Sequence, residues 1–216
     1  MEKLCSTNCV SYQNSNNYLL KSGFNFGAFG KYTVDSLGKA RATVGISYNQ
    51  FSQKKDYSTT AGTIKTISNK LGIFSISAGL EYNFKPKGKV NPYVGIELAA
   101  NFFSGNIDFS GDTVFTFDRK AENRYGVILN GGIGYKLNKE FGLVAGLKYA
   151  MSNLIGKKSG TVSTSATGNT DTGTTGTSLS AEIPLNDIDS RTTLTKSIIS
   201  LQIYLGFSYN FGSINK

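Results

Sequence analysis

Large apolar residues occupy every second position near the C-terminal end of the chain, from Ile199 through Phe211. The positions between them hold Ser, Gln, Tyr, Gly, Ser and Asn. Such strict alternation predicts a β-strand with one apolar face and one polar face. Globular strands usually have about 5–6 residues, whereas crossing a bilayer takes roughly 9–11 tilted residues. The pattern therefore predicts a strand long enough to span a membrane.

The same alternation recurs along most of the chain. It predicts strands at 20–32, 40–51, 70–84, 92–103, 123–136, 140–151 and 199–211. The connections are short around 35–38, 85–91 and 137–139, and long at 52–69, 104–122 and 152–197. Short turns at one end and long loops at the other are typical of an outer-membrane barrel, with the loops outside the cell. We therefore expect residues 1–216 to form one all-β domain, an antiparallel up-and-down transmembrane barrel.

The number of strands raises a question about the N-terminus. Barrels of this kind have an even number of strands, and the strand at 20–32 would begin at the loop end. We therefore expect eight strands, with the first either at residues 3–14 or upstream of this chain. Residues 1–17 alternate only weakly and contain no apolar core of a secretory signal, so an exported protein would have a longer precursor. An oxidising compartment would allow a disulfide between Cys5 and Cys9.

Alternation alone does not say which face of the strands points outward. A soluble, lipocalin-like barrel would turn the apolar face inward. Here the polar face is rich in Gly and Ser, which suits the narrow interior of an eight-stranded barrel. A face in contact with water would instead carry many charged residues. The composition of the polar face favours an apolar exterior against lipid.

Aromatic and charged residues support the same orientation. Aromatic residues cluster near strand ends, as in the interfacial girdle of a membrane barrel; they are Tyr32, Tyr48, Tyr82, Phe84, Tyr135, Phe141, Tyr149, Tyr209 and Phe211. Charges well inside the strands fall on the polar face; they are Arg41, Glu81, Glu97, Arg124 and Lys148. Buried charges need matched partners. We therefore expect an ion-paired network in the lumen.

Several stretches resemble the small outer-membrane β-barrels related to the OmpA transmembrane domain and OmpX. They are Ser22 to Phe29, Asn91 to Gly95, Gly131 to Tyr135, and Tyr209 to Phe211. The resemblance implies a barrel in the outer membrane of a Gram-negative bacterium, in contact with the lipid bilayer and lipopolysaccharide. In this family a C-terminal aromatic residue is read by the insertion machinery; Phe211 matches it, although Gly212 to Lys216 follow.

The composition excludes several kinds of chemistry. The chain has no His, which removes Ser-His-Asp catalysis and His-based metal sites. It also lacks a Walker A run and a GxGxxG fingerprint. Glu81 and Glu97 could pair for acid–base work, but the nearby cations favour salt bridges. The net charge of +9 comes from scattered Lys and Arg without a nucleic-acid motif. We therefore expect a protein that is not an enzyme, binds no cofactor and has no nucleic-acid partner.

The long loops are the remaining candidates for function. Residues 157–197 are rich in Thr, Ser and Gly, a composition that predicts a flexible outer loop. Residues 104–122 predict a hairpin that either extends two strands or forms a recognition surface. We therefore expect a structural, adhesive or accessory protein that acts through its outer loops, with a possible protein partner there. The alternatives are a narrow pore or solute channel, and a soluble barrel that binds an apolar ligand.

Overall fold

The computed structural model describes residues 22–58, 64–110, 115–138, 140–157, 179–183 and 197–209. These residues form strands and turns, and none of them lies in a helix long and apolar enough to cross a membrane. The strands are β1 (Ser22–Thr33), β2 (Ala40–Ser58), β3 (Ile64–Asn83), β4 (Val90–Ser110), β5 (Phe115–Lys136), β6 (Phe141–Ile155), β7 (Leu179–Ile183) and β8 (Ile199–Tyr209).

Seven of the strands form one antiparallel sheet in the order β1-β2-β3-β4-β5-β6-β8. The short turns join β1 to β2, β3 to β4 and β5 to β6, so all three lie at one end of the sheet, here called the turn end. At the first turn, Gly38 has a φ of 74° and the Asp35 carboxylate accepts a 2.9 Å hydrogen bond from the Ala40 N–H. The first turn therefore lies at the predicted residues 35–38. The opposite end is called the loop end.

The two faces of the sheet have opposite chemistry. Apolar side chains such as Val44, Leu98 and Phe207 are exposed on one face, at 62%, 69% and 86%. On the other face, Arg124 and Asn101 are 0% and 2% exposed. A soluble protein has the reverse arrangement, whereas a transmembrane barrel has an apolar outer band and a polar interior. The outward apolar face is confirmed, and the alternative of a soluble barrel with an apolar interior is wrong.

Two of the predicted long loops are mostly strand. The β2–β3 pairing continues without interruption from Phe51↔Leu71 to Ser58↔Ile64. The β4–β5 pairing shifts register between Phe103 and Gly105 and then extends to Phe109↔Phe115, which gives the hairpin expected within 104–122. The predicted strands were too short because these extensions carry Ser, Asn and Lys on both faces. Where lipid does not cover one face, no alternation of apolar residues is required.

The predicted loop at 157–197 contains β7, which pairs in parallel with β5 from Phe115↔Leu179 to Arg119↔Ile183. The last pair between β5 and β6 is Tyr125↔Ile155. The first residues of β5 therefore extend past β6, and β7 supplies hydrogen-bond partners to their backbone. This parallel strand is a correction to the purely antiparallel prediction. The predicted strand at residues 3–14, the pair Cys5 and Cys9, and Phe211 lie outside the described residues.

Candidate functional site: the interior and the outward face of the barrel

Near the turn end, two cations share one carboxylate on the inward face. Glu81 on β3 lies opposite Arg41 on β2 and pairs with it. Lys31 on β1 donates a 2.6 Å hydrogen bond to the same carboxylate, and its Nζ lies 3.8 Å from the centre of the Tyr93 ring. Lys31 was missing from the predicted network because it stands near a strand end. Lys31 lies an even number of positions from Asn25, so the alternation of the strand could have placed it on the inward face.

Next to this cluster, two tyrosines meet across the interior. The hydroxyls of Tyr93 on β4 and Tyr204 on β8 lie 2.5 Å apart. Glycine makes the contact possible, because a Cβ on Gly146 would lie 2.6 Å from the Tyr204 hydroxyl. The pair joins strands that are three places apart in the sheet.

A second carboxylate, Glu97 on β4, is held by hydrogen bonds from two strands. It accepts 2.6 Å bonds from the Ser77 hydroxyl and the Asn130 amide. Lys148 on β6 stands 3.8 Å away. Buried charges are tolerated when counter-charges and hydrogen bonds together replace water. Glu97 is 6% exposed and meets both conditions.

Arg124 forms a separate group nearer the loop end. Its side chain is fully buried, pairs with Glu122 and donates a 2.8 Å hydrogen bond to the Asn123 carbonyl. All five charged residues predicted for the lumen therefore face inward, but the structure distributes them over three groups. Glu122 was missed because residues up to 122 were assigned to a loop.

An apolar cluster fills the interior at the loop end. Leu71, Ile73, Phe103 and Ile198 are buried together, and Phe51 packs against them. Leu71, Ile73 and Phe103 occupy alternating positions that are polar elsewhere in their strands. Their positions in the sequence could therefore have revealed the cluster. Ile198 comes from the segment that enters β8. The cluster makes this level of the interior apolar.

One small cavity lies among these groups. An interior cavity of about 20 Å³, lined by residues that include Asn49, Asn101 and Lys148, has room for about one water molecule. A larger groove of about 790 Å³ crosses the outward side of the sheet, where Val44, Ile76 and Leu98 contribute to its lining. This groove therefore lies on the apolar side of the strands and not in the interior.

The outward face carries a cross-strand row of aromatic residues. Phe26, Tyr48, Phe74 and Phe102 are direct neighbours in the register of β1 to β4, with ring centres 5.5 Å apart for the first pair and 6.2 Å for the last. Phe84, just past the turn end of β3, lies ten positions along the chain from Phe74. At about 3.3 Å per residue and a tilt of about 40°, they span about 25 Å across the membrane. This is the height of the apolar band of an outer-membrane barrel.

The predicted girdle residues are placed on this face as far as the structure describes them. Tyr48 is half-buried in the aromatic row, and the others are exposed; these are Tyr32, Tyr82, Phe84, Tyr135, Phe141, Tyr149 and Tyr209. Phe26, Phe74 and Phe102 of the row were not among the predicted girdle residues. These three residues alternate with inward residues along their strands, so the sequence indicates that they point outward. Only the register between the strands shows that they are neighbours.

Comparison with known proteins supports the same architecture. Residues 3–156 match the family model described as the outer membrane protein beta-barrel domain. No curated protein and no solved structure matched the chain. In the described part of the chain, no group of three or more Cys, Asp or Glu side chains could hold a metal ion. The matched segment covers more than half of the sequence. The chain therefore belongs to the outer membrane protein β-barrel domain family and is a protein of the bacterial outer membrane.

Proposed function

We propose that the chain is a non-enzymatic, eight-stranded outer-membrane barrel that acts through its loop end, as a structural, adhesive or accessory subunit. The observation that carries this proposal is the sheet that projects beyond the aromatic row. From Tyr48, β2 continues for ten residues to Ser58, and β3 approaches Phe74 from Ile64. At about 3.3 Å per residue, the projection extends roughly 30 Å along the strands.

The projecting sheet is built as a recognition platform. The hairpin of β4 and β5 continues the sheet, and β7 adds a parallel strand to it. Binding residues commonly stand on loops that a rigid scaffold positions. Lys54, Lys70 and Lys120 are exposed on this part of the sheet. Their charge suits the anionic headgroups of lipopolysaccharide at the base of the projection.

The filled interior argues against a transport function. A solute would have to displace the apolar cluster, the hydrogen bonds of Glu97, and the Tyr93–Tyr204 contact with the Glu81 ion pairs. Each group is buried, and leaving a buried ion without its partner costs about 3–5 kcal/mol. A pore would therefore need a large rearrangement of the interior.

Planar-bilayer recording of the purified full chain tests the choice between a filled barrel and a pore. We expect no conductance steps above those of the bare bilayer. Protease resistance of the strands in the same preparation would show that the chain is inserted. Reproducible, ion-selective steps from the inserted chain would establish the pore alternative and contradict the proposal.

Photocrosslinking in living cells tests the role of the loop end. A photoreactive residue at Asp118, on the projecting sheet, should give discrete adducts with envelope or surface components. The matched control is the same residue at Leu37, in an exposed turn at the opposite end. Equal adducts at the two positions, or none at Asp118, would contradict recognition through the loop end.

A further inference from the structure

The groove on the outward side of the sheet follows the register of six strands. Its lining toward the loop end is a cross-strand row in which each residue is the register partner of the next; the row is Ala28, Ile46, Ile76, Ala100, Tyr125 and Ile155. Toward the turn end, Gly30 on β1 and Ala78 on β3 leave space between larger neighbours. Ala or Gly thus interrupts the bulky outward residues on three strands, which produces a groove of about 790 Å³.

The groove climbs from the turn end toward the loop end. Ala28 stands five residues from the turn-end terminus of β1, whereas Ile155 stands fourteen residues from that of β6. At about 3.3 Å per residue and a tilt of about 40°, this difference corresponds to roughly 20–25 Å of height. The groove therefore begins near the membrane surface at the loop end and descends obliquely into the hydrocarbon.

The aromatic row borders the groove but stops before its upper end. Each ring of the row stands two residues from a lining residue, on the side toward the loop end. On β5, the register partner of Phe102 is Asn123, an exposed amide in place of a further ring. Rings therefore wall the groove along β1 to β4, and a polar side chain meets it beside Tyr125.

Positive charge stands at the same end of the groove. Lys157 follows Ile155 by two residues, and its Nζ donates a 3.1 Å hydrogen bond to the Ser197 hydroxyl. An ammonium carries three N–H donors, so this bond leaves two for a phosphate. A Cβ on Gly156 would lie 3.9 Å from the Asn123 carbonyl oxygen, which places this segment beside the polar break in the aromatic row.

A second cation stands on β5 above the groove. Lys120 is exposed, five residues from Tyr125 toward the loop end. Two carboxylates flank it along the strand. Glu122 pairs with the buried Arg124, and Asp118 lies farther from the membrane as the register partner of Asn106. The upper end of the groove therefore joins an apolar channel to positive charge.

We propose that this groove and its two lysines hold one molecule of lipid A, the phosphorylated and multiply acylated anchor of lipopolysaccharide. Hydrocarbon surrounds the groove, so an acyl chain gains packing there but no further transfer from water. Preference among lipids therefore comes from the headgroup, whose phosphate meets Lys157 and Lys120. The inference rests on the proposed function, which puts the loop end at the cell surface, where lipopolysaccharide forms the outer leaflet.

Native mass spectrometry of the full chain in detergent micelles tests the headgroup contacts. With purified lipid A added, we expect a saturable complex of one lipid A per chain. The double variant Lys120→Gln, Lys157→Gln should raise the apparent Kd at least tenfold, because each cation at a charged membrane surface contributes about fivefold. Lys87→Gln, in an exposed turn at the opposite end, is the matched control and should leave the Kd unchanged.

Filling the groove tests the acyl-chain contacts. Ala100→Phe puts a ring into the groove, and Ala145→Phe puts one at an outward position of β6 outside it; both native side chains are half-buried. We expect Ala100→Phe to raise the Kd and Ala145→Phe to leave it unchanged. Protease resistance verifies that each variant folds. The two lysines lie beyond the apolar band, so their substitution carries the test even where a phenylalanine variant does not fold.

Three results would overturn the inference: unsaturable uptake of many lipid A molecules, equal affinity of the native chain and the lysine double variant, or equal Kd values for the two phenylalanine variants. Equal retention of phosphatidylglycerol would overturn the assignment to lipid A. The conductance and crosslinking tests use no purified lipid A. Failure here therefore leaves the proposed function standing, and a conducting barrel that still binds one lipid A would contradict only the proposed function.

Discussion

The hydroxyl oxygens of Tyr93 and Tyr204 lie 2.5 Å apart, although 111 residues separate them in the chain. Their contact crosses the interior from β4 to β8. Lys31 stacks on the Tyr93 ring and pairs with Glu81, so β1 and β3 meet at the same point. The last strand of the sheet is thereby held to the interior by its side chain as well as by its backbone.

Tyr204→Phe should remove this hydrogen bond and leave the Tyr93 hydroxyl buried without it. We expect the free energy of unfolding to fall by about 1–2 kcal/mol, because a buried polar group that loses its partner pays its desolvation cost. Urea titration of the barrel in lipid vesicles would measure the change. Tyr32→Phe, at an exposed outward position, is the control and should change little. Equal stability of Tyr204→Phe and the native chain would show that the contact contributes nothing.

Glu81→Gln should be one of the most damaging isosteric changes in the chain. It removes the only carboxylate that the described contacts give to Lys31 and Arg41, two largely buried cations. Breaking a buried ion pair costs about 3–5 kcal/mol. The same titration should show this loss, while Asp118→Asn on the exposed projecting sheet should cost less than about 1 kcal/mol. A cost for Glu81→Gln within that smaller range would mean that water reaches the ion pair.

Arginine on the outward face should be costly because that face contacts hydrocarbon. Leu129→Arg and Ile203→Arg should each lower the unfolding free energy in vesicles by roughly 2–4 kcal/mol. Leu37→Arg is the control, since the exposure of Leu37 lies between those of Leu129 and Ile203 but Leu37 stands in a turn outside the apolar band. If all three substitutions cost the same, lipid does not cover the strands as the assigned faces require.

The aromatic row on the outward face predicts energetic coupling between neighbouring strands. Phe74 and Phe102 are cross-strand partners with ring centres 6.2 Å apart. A double-mutant cycle with Phe74→Leu and Phe102→Leu should give a coupling energy of about 0.5–1.5 kcal/mol. Phe84 lies just past the turn end of β3, ten positions from Phe74, and the cycle of these two residues should be additive. Additivity in both cycles would show that the row only faces the interface.

The membrane-spanning strands were predictable because each has lipid on one side and a narrow interior on the other. This arrangement requires apolar and polar residues to alternate with a period of two. The same reasoning explains what was missed. Beyond the apolar band, the outward side of β2 and β3 no longer faces lipid, and polar residues such as Lys54 and Asn69 interrupt the alternation of apolar and polar positions. Parallel pairing of β7 with β5 depends on an edge left free by β6, which a local pattern does not encode.

The interior was predictable in kind but not in its pairings. Parity placed Glu81 and Glu97 on the inward face, but register decides which cations reach each of them. Tyr93 was not singled out in the predicted strand at 92–103, although it lies an even number of positions from Glu97 and therefore shares its inward face. Contacts between strands that are not neighbours, such as the one between Tyr93 and Tyr204, depend on the curvature of the whole sheet.

The central claim is that one face of each strand contacts lipid and the other faces a filled interior. The chain has no Trp, so a single introduced Trp reports its own surroundings. Ile203→Trp and Gln202→Trp place the probe on opposite faces at adjacent positions of β8. In vesicles of brominated lipid, we predict strong fluorescence quenching for Ile203→Trp and weak quenching for Gln202→Trp. Equal quenching at the two positions, or stronger quenching at residue 202, would contradict the claim.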